Sequence, residues 1–450
     1  MNIDLTSGSI QKVLLFFAIP LFFSQLFQTL YNTADTIIIG YFLGDQALAA
    51  VGCVAALFEL IVGFSTGFGQ GCSIIAAQCY GAKDENGFRQ SVALSILLCF
   101  LLGIVMAFGM CSALPWILRW LLTPEELFGP AYSYIFVIAA GILITIFYNL
   151  CAGILRAAGD SKTPLYVLIL SSLLNIGLDV LFIATFHQGV ASTAWATLIA
   201  QLVSLVVCLV WIGWRKKELV PHWTDFRLDW AKIGLLMRMG LSMALMSSIV
   251  SIGSLILQTG LNQQGSLRIA GHTAARKIFG LLNLPLVAMM LALSSYVAQN
   301  MGAQDYERTE KGIAFANRCG LYFSIISTLI IYLTAEWWIQ TISATSNPFV
   351  IETGSMYMRI NSPFFVVLAL VLNLRTSLQS MLMNVVPVLS SVIELLGKII
   401  FTQWIVPTTG YLGICFTEPI VWLAMALFLM YFYLKKSPLT QVGLSVHLFR

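Results

Sequence analysis

The stretch Pro20 to Gly40, PLFFSQLFQTLYNTADTIIIG, reads as an apolar helix that carries an aspartate. At about 1.5 Å of rise per residue it is long enough to cross a bilayer, which puts Asp35 within or near the hydrocarbon. Helical steps back from Asp35 meet Asn32, Tyr31, Gln28, Gln25 and Ser24, so the polar side chains form one stripe among Leu, Phe and Ile. Such a stripe faces protein or trapped water, and an acid inside it marks a functional site by default.

The rest of the chain agrees with this reading. Of its 450 residues 59% are hydrophobic and only 10% charged, against about 25% charged in soluble globular domains. An ordinary soluble fold is excluded, and an all-α polytopic membrane protein is expected. The nine cysteines show no metal or paired spacing, and Cys53, Cys72, Cys99, Cys151 and Cys208 lie in apolar runs. They read as small buried residues. The first apolar run is too long, and lacks the small-residue cleavage site, for a removable signal.

Apolar runs between short polar breaks predict twelve spans: 14–40, 48–77, 91–116, 131–154, 164–186, 191–214, 238–260, 269–298, 313–335, 353–374, 387–406 and 411–434. With the N-terminus inside, eighteen of the 24 basic residues fall on inner segments, among them Arg215 to Lys217, Arg308, Lys311, Arg375, Lys435, Lys436 and Arg450. The excess of basic residues on inner loops predicts that both termini are cytoplasmic.

The longest polar segment, Trp214 to Trp230, divides the chain into an N-terminal lobe (1–214), a cytoplasmic linker (215–237) and a C-terminal lobe (238–450). The halves repeat at an offset of 221: Ala49 pairs with Ala270, Phe58 with Phe279, and QCYGAKD (Gln78 to Asp84) with QNMGAQD (Gln299 to Asp305). Thr123-Pro124 recurs as Asn347-Pro348, each an N-cap residue followed by proline at the first helical position. Pro164 and Pro387 open spans five and eleven. A repeat with an even number of helices per copy keeps the same topology in both, so two six-helix lobes related by a pseudo-two-fold axis along the membrane normal are expected, with substrate bound between them.

The acids do not repeat. Asp35 pairs with Ile256 and Asp179 with Thr402, which assigns the functional acids to the first lobe. Asn175 and Asp179 lie four apart in span five and share a helical face. Carboxylate and amide oxygens suit Na⁺, whereas two close acids in a low dielectric suit a shared proton. Both remain open from the residues alone.

These motifs together resemble a known family. IP-x4-Q-x5-YNTAD-x4-G in span one, LAAVG after it, the repeated Q-x2-GA-x-D loop, LRAAGDSKTP after span four and NIGLD in span five are similar to the multidrug and toxic compound extrusion (MATE) transporters, over about Leu5 to Lys436. The resemblance is nearest to the DinF-like bacterial branch. It implies a first-lobe cation site on Asp35, Asn175 and Asp179, supported by Asn149 in span four and Thr197 in span six. The acidic second-lobe site of the NorM-like branch finds no counterpart, since spans seven and ten hold no acid apart from Glu352 at an outer edge.

The resemblance implies a secondary antiporter that exports lipophilic, often cationic drugs or toxins by alternating access in exchange for H⁺ or Na⁺, and no other cofactor. It also implies a monomer in the bacterial inner membrane that binds no nucleic acid. Pro20 removes a backbone donor in span one and is expected to supply a bend beside the stripe of Gln28, Tyr31 and Asn32. Glu394 and Lys398, four apart in span eleven, read as a local ion pair and as a candidate for second-lobe gating. Arg276 and Lys277 read as side chains that reach to an interface.

The alternative is a lipid-linked oligosaccharide flippase of the same broad superfamily, for which more intramembrane cations are expected. Enzymatic readings lack a basis. GFSTG (Gly63 to Gly67) imitates a hydrolase elbow but lies in a helical run, where Gly63, Gly67 and Gly71 instead favour close helix packing. His187, His222, His272 and His447 have no ligand spacing, and no phosphate-binding glycine loop is present.

Overall fold

A computed structural model describes residues 3–121, 123–343 and 345–449; Arg450, counted above with the basic residues, lies outside them. The first helical stretch, Ile10–Gly81, is 72 residues long, about 108 Å as a straight rod and far more than a bilayer needs. It breaks at Gly44, whose φ of 78° and ψ of −177° are open to glycine and strained for other residues. The two parts are α1 (10–43) and α2 (45–81).

Ten further helices follow. They are α3 (Glu85–Trp120), α4 (Glu125–Ala140 and Ile142–Ala157, bent by 47° at Gly141), α5 (Lys162–Val180, extended by Leu181–Thr185), α6 (Ala191–Arg215) and α7 (Trp230–Asn262). The second half of the chain adds α8 (Ser266–Gly302), α9 (Tyr306–Ser343), α10 (Pro348–Asn361, running on to Ser380), α11 (Val385–Ile400, running on to Thr409) and α12 (Tyr411–Lys436). The described residues contain no strand, and these twelve helices correspond to the twelve expected spans.

The internal repeat is written in the backbone as well as in the side chains. Gly44 and Gly265 have positive φ (78° and 91°) 221 residues apart, and so do Lys83 and Gln304 (57° and 59°). Farther along, Gly159 and Leu382 (77° and 65°) and His187 and Gly410 (50° and 62°) recur at 223. Left-handed backbone is uncommon outside glycine, so four matched pairs mean that each half makes the same four turns. The caps match too. Asp84 Oδ1 accepts from Gly87 N at 2.8 Å and Asp305 Oδ1 from Arg308 N at 2.9 Å, each satisfying a donor that a helix start leaves free. Both α5 and α11 widen near their ends, where Phe186 N reaches Leu181 O and Val406 N reaches Phe401 O.

One expected cap is corrected. Asn347 Oδ1 accepts from Phe349 N at 3.0 Å, but Thr123 Oγ1 is buried without a partner and α4 begins after Pro124. Pro124 itself takes the cap position, with φ of −55°, which its ring fixes, and an extended ψ of 142°.

The chain forms two compact units. The first comprises Met1–Asp4 and Ile19–Ser248, the second Leu5–Ala18 and Ile249–Arg450. In the first unit the glycine stripe of α2 lies against α7. A Cβ on Gly67 would stand 2.7 Å from Met243 O, and one on Gly71 would stand 2.4 Å from Met239 O. The backbones touch because no side chain separates them. The connector is tied to the same unit by Lys216 on Asp160 (3.5 Å), Arg89 on Asp225 (3.6 Å) and Lys232 on Gln90 (2.9 Å). In the second unit Arg308 donates to the carbonyls of Leu5, Ser7 and Gly8, at 3.3, 2.7 and 2.8 Å, and thereby holds the segment before α1.

Candidate cation site and the buried charges

Within the first unit, α1, α4, α5 and α6 bring their polar faces to one cavity of about 80 Å³. Gln28, Tyr31, Asn32, Asn149, Asn175 and Thr197, all singled out in the sequence, line it. Helical periodicity explains the convergence, since each helix offers a single polar stripe that lipid would penalise. Asn175 Nδ2 donates to Thr197 Oγ1 at 3.4 Å, and Thr197 donates in turn to Thr193 O at 3.0 Å. Asn149 is held one turn back on its own helix, on Thr145 O at 2.9 Å. A cavity of this size has room for a few water molecules.

Asp35 and Asp179 stand next to this cavity, one turn beyond Tyr31 on α1 and one turn beyond Asn175 on α5. Their carboxyls lie within hydrogen-bonding reach of each other. Asp179 is fully buried. Among the described residues no donor reaches either Asp179 oxygen, Asp35 Oδ1 or Asn175 Oδ1. Ionised carboxylates only accept, so the two acids bond to each other only through a proton held by one of them. A small hard cation would meet the same set of oxygens. Four buried oxygens without donors are a deficit that one positive species can fill.

Two more members of the site escaped the sequence reading. Thr145 Oγ1 donates to Gln201 Oε1 at 2.7 Å, and both residues line the cavity. The signal was present in the spacing: Thr145 precedes Asn149 by four, and Gln201 follows Thr197 by four, so each shares a face with a residue already named. Pro20 lies inside a continuous helical stretch, with Ser24 Oγ on its carbonyl at 2.9 Å.

The second unit requires three corrections. Buried acids are not confined to the first lobe, because Glu418 in α12 binds Arg276 Nη1 of α8 at 2.6 Å and accepts from Tyr357 Oη of α10 at 2.6 Å. Arg276 therefore turns inward to a carboxylate instead of reaching for an interface. Arg375, expected just beyond span ten, lies instead inside the helix that runs on to Ser380, half-buried and 3.4 Å from Glu394. Glu394 thus answers to two cations, Lys398 at 2.8 Å and Arg375. In the first unit, Cys53 is exposed, although it was expected to be buried.

Comparison with known proteins places this geometry. The MatE family profile matches residues 20–181 and 242–404, two segments that start 222 and end 223 residues apart, in step with the repeat. The chain is 30% identical over 359 residues to the probable multidrug resistance protein YoeA of Bacillus subtilis (strain 168), covering 78% of this chain and 76% of that one. A solved structure described as a MATE in the bent conformation superposes with a TM-score of 0.88 at 25% identity, covering 98% of each chain. An outward-facing multidrug resistance MATE transporter of the MOP superfamily gives 0.87 at 25% identity over 95% of each chain. The paired family match, spanning most of both halves, and the shared fold establish that the chain belongs to the MatE family of multidrug efflux transporters.

Proposed function

We propose that the protein is a cation-coupled antiporter in which Asp35 and Asp179 hold the coupling ion, H⁺ or Na⁺. Asn175 supplies a further oxygen, while Asn149 and Thr197 shape the polar wall behind it. The observation that carries this reading is the donor deficit in the first unit, four buried oxygens from two acids and an amide beside a polar cavity. An ion entering from outside neutralises the pair and joins α1 to α5, and its loss lets them part. Glu394 and Lys398 take part in gating within the second unit. Both termini face the cytoplasm, and the exported compounds are small lipophilic molecules. A potential of 100 mV contributes about 2.3 kcal/mol per charge, or roughly fifty-fold concentration at full coupling.

The test is efflux of a fluorescent lipophilic cation from liposomes that contain the purified protein, with proton and Na⁺ gradients imposed separately. Response to one gradient, lost in Asp35→Asn, supports the assignment and names the ion. Efflux driven equally well in Asp35→Asn overturns it.

A further inference from the structure

We propose that Arg276 and Lys277 of α8 form an anion-recognition surface, so that the substrates of this transporter include molecules that carry a carboxylate or a similar negative group. The proposal deepens the efflux reading and rests on it.

Arg276 lies ten residues after Ser266, where α8 begins, or about 15 Å along the axis. That is well inside a helix of 37 residues. The guanidinium does not run along the helix to a membrane surface, because Nη1 is fixed on Glu418 Oε1 at 2.6 Å. Glu418 is itself only 7% exposed and receives Tyr357 Oη on its other oxygen at 2.6 Å. Each oxygen of the carboxylate is thus held from a different helix, and the group works as a fixed seat.

The seat does not hide its cation. The Arg276 side chain is 43% exposed, and a guanidinium has five N–H donors in one plane. One of them is held by Glu418. Lys277, the next residue, is also exposed, and no carboxylate lies within ion-pair distance of it among the described residues. Arg276 and Glu418 cancel in charge, so Lys277 leaves this surface with a net positive charge.

The same face of α8 continues with Thr273, exposed one turn before, and Asn283, whose Oδ1 is buried without a partner. A polar stripe with two cations at this depth is poorly suited to acyl chains and well suited to a water-filled path. The forked, pre-seated donors of Arg276 match a carboxylate or phosphate in plane, and Lys277 adds an unpaired charge. The first unit presents the opposite sign, with its acids on α1 and α5.

Rhodamine 6G and rhodamine 19 test this directly. They share one cationic chromophore and differ only in that the former is the ethyl ester of the latter's free carboxylic acid. Binding to the purified full-length protein is followed by fluorescence polarisation at constant ionic strength. Wild type should bind rhodamine 19 about tenfold more tightly. Lys277→Gln, at an exposed position outside any ion pair of the described residues, should bring the two affinities within about twofold, and so should Arg276→Lys, which keeps a cation on Glu418 but loses the fork. Equal binding of the two dyes by wild type, or a preference that survives both substitutions, would overturn the proposal. Gradient-driven movement of rhodamine 6G in liposomes reports separately on the efflux reading, since the ester has no carboxylate for this surface to bind.

Discussion

Asp179 of α5 and Asp35 of α1 face each other within hydrogen-bonding reach, and no protein donor meets either oxygen of Asp179 among the described residues. A pair built in this way is incomplete without a proton or a metal cation. Asp35→Asn or Asp179→Asn supplies an amide donor in place of that cation. Each variant should insert normally, match or exceed wild type in thermal stability, and lose gradient-driven efflux by at least about a hundredfold. The check is a melting curve in detergent beside a liposome efflux assay, and a variant that melts early points to a structural role instead.

If Na⁺ is the ion, binding should stabilise the folded protein by mass action. Replacing choline chloride with NaCl at fixed ionic strength and pH should then raise the melting temperature of wild type and leave Asp35→Asn unchanged. An unaltered wild-type curve would assign the coupling to protons.

The backbone turns give a prediction independent of transport. Leu382 has φ of 65° where the other half has Gly159. Leu382→Gly should be tolerated or stabilising by about 1 kcal/mol, since a β-carbon is strained there. The reverse change should fail: a Cβ on Gly159 would lie 2.3 Å from Ile3 O, so Gly159→Leu should lower the yield of folded protein. Size-exclusion profiles of the fluorescently tagged variants would show both effects.

Helix packing in the first unit can be broken at one atom. Gly71→Val places its side chain where Met239 O already stands, 2.4 Å from the β-carbon. Overpacking against backbone should cost about 2–3 kcal/mol or more and reduce the melting temperature sharply. Gly109, with nothing within 4 Å of a new Cβ, should accept valine with little change in the same measurement.

Glu394 balances two cations, the buried Lys398 and the half-buried Arg375. Glu394→Ala should destabilise by about 3–5 kcal/mol because both are left without a counter-charge. Adding Lys398→Met removes one of them and should recover part of the loss, seen as a partial return of the melting temperature in the double variant.

Much of this protein is determined by its sequence alone. Long apolar runs must form helices in a bilayer, because no water is available there to satisfy an open backbone. The offset of 221 to 223 residues is visible in side chains such as Gln78 and Gln299, and it carries over to the turns at Lys83 and Gln304. Asp35, Asn175 and Asp179 were legible for the same reason, since a polar atom in an apolar run has few places to go.

What only the tertiary structure decided is the pairing. Glu418 sits in an apolar run and could have been flagged by the reasoning that found Asp35, yet its partners Arg276 and Tyr357 lie 142 and 61 residues away. Arg375 is recognisable as a charge at the end of span ten, but its partner Glu394 is not, because it comes from another helix. Periodicity states which face of a helix is polar. Which other polar face it meets is set by the packing of separate helices, where a buried charge is stable only beside its complement.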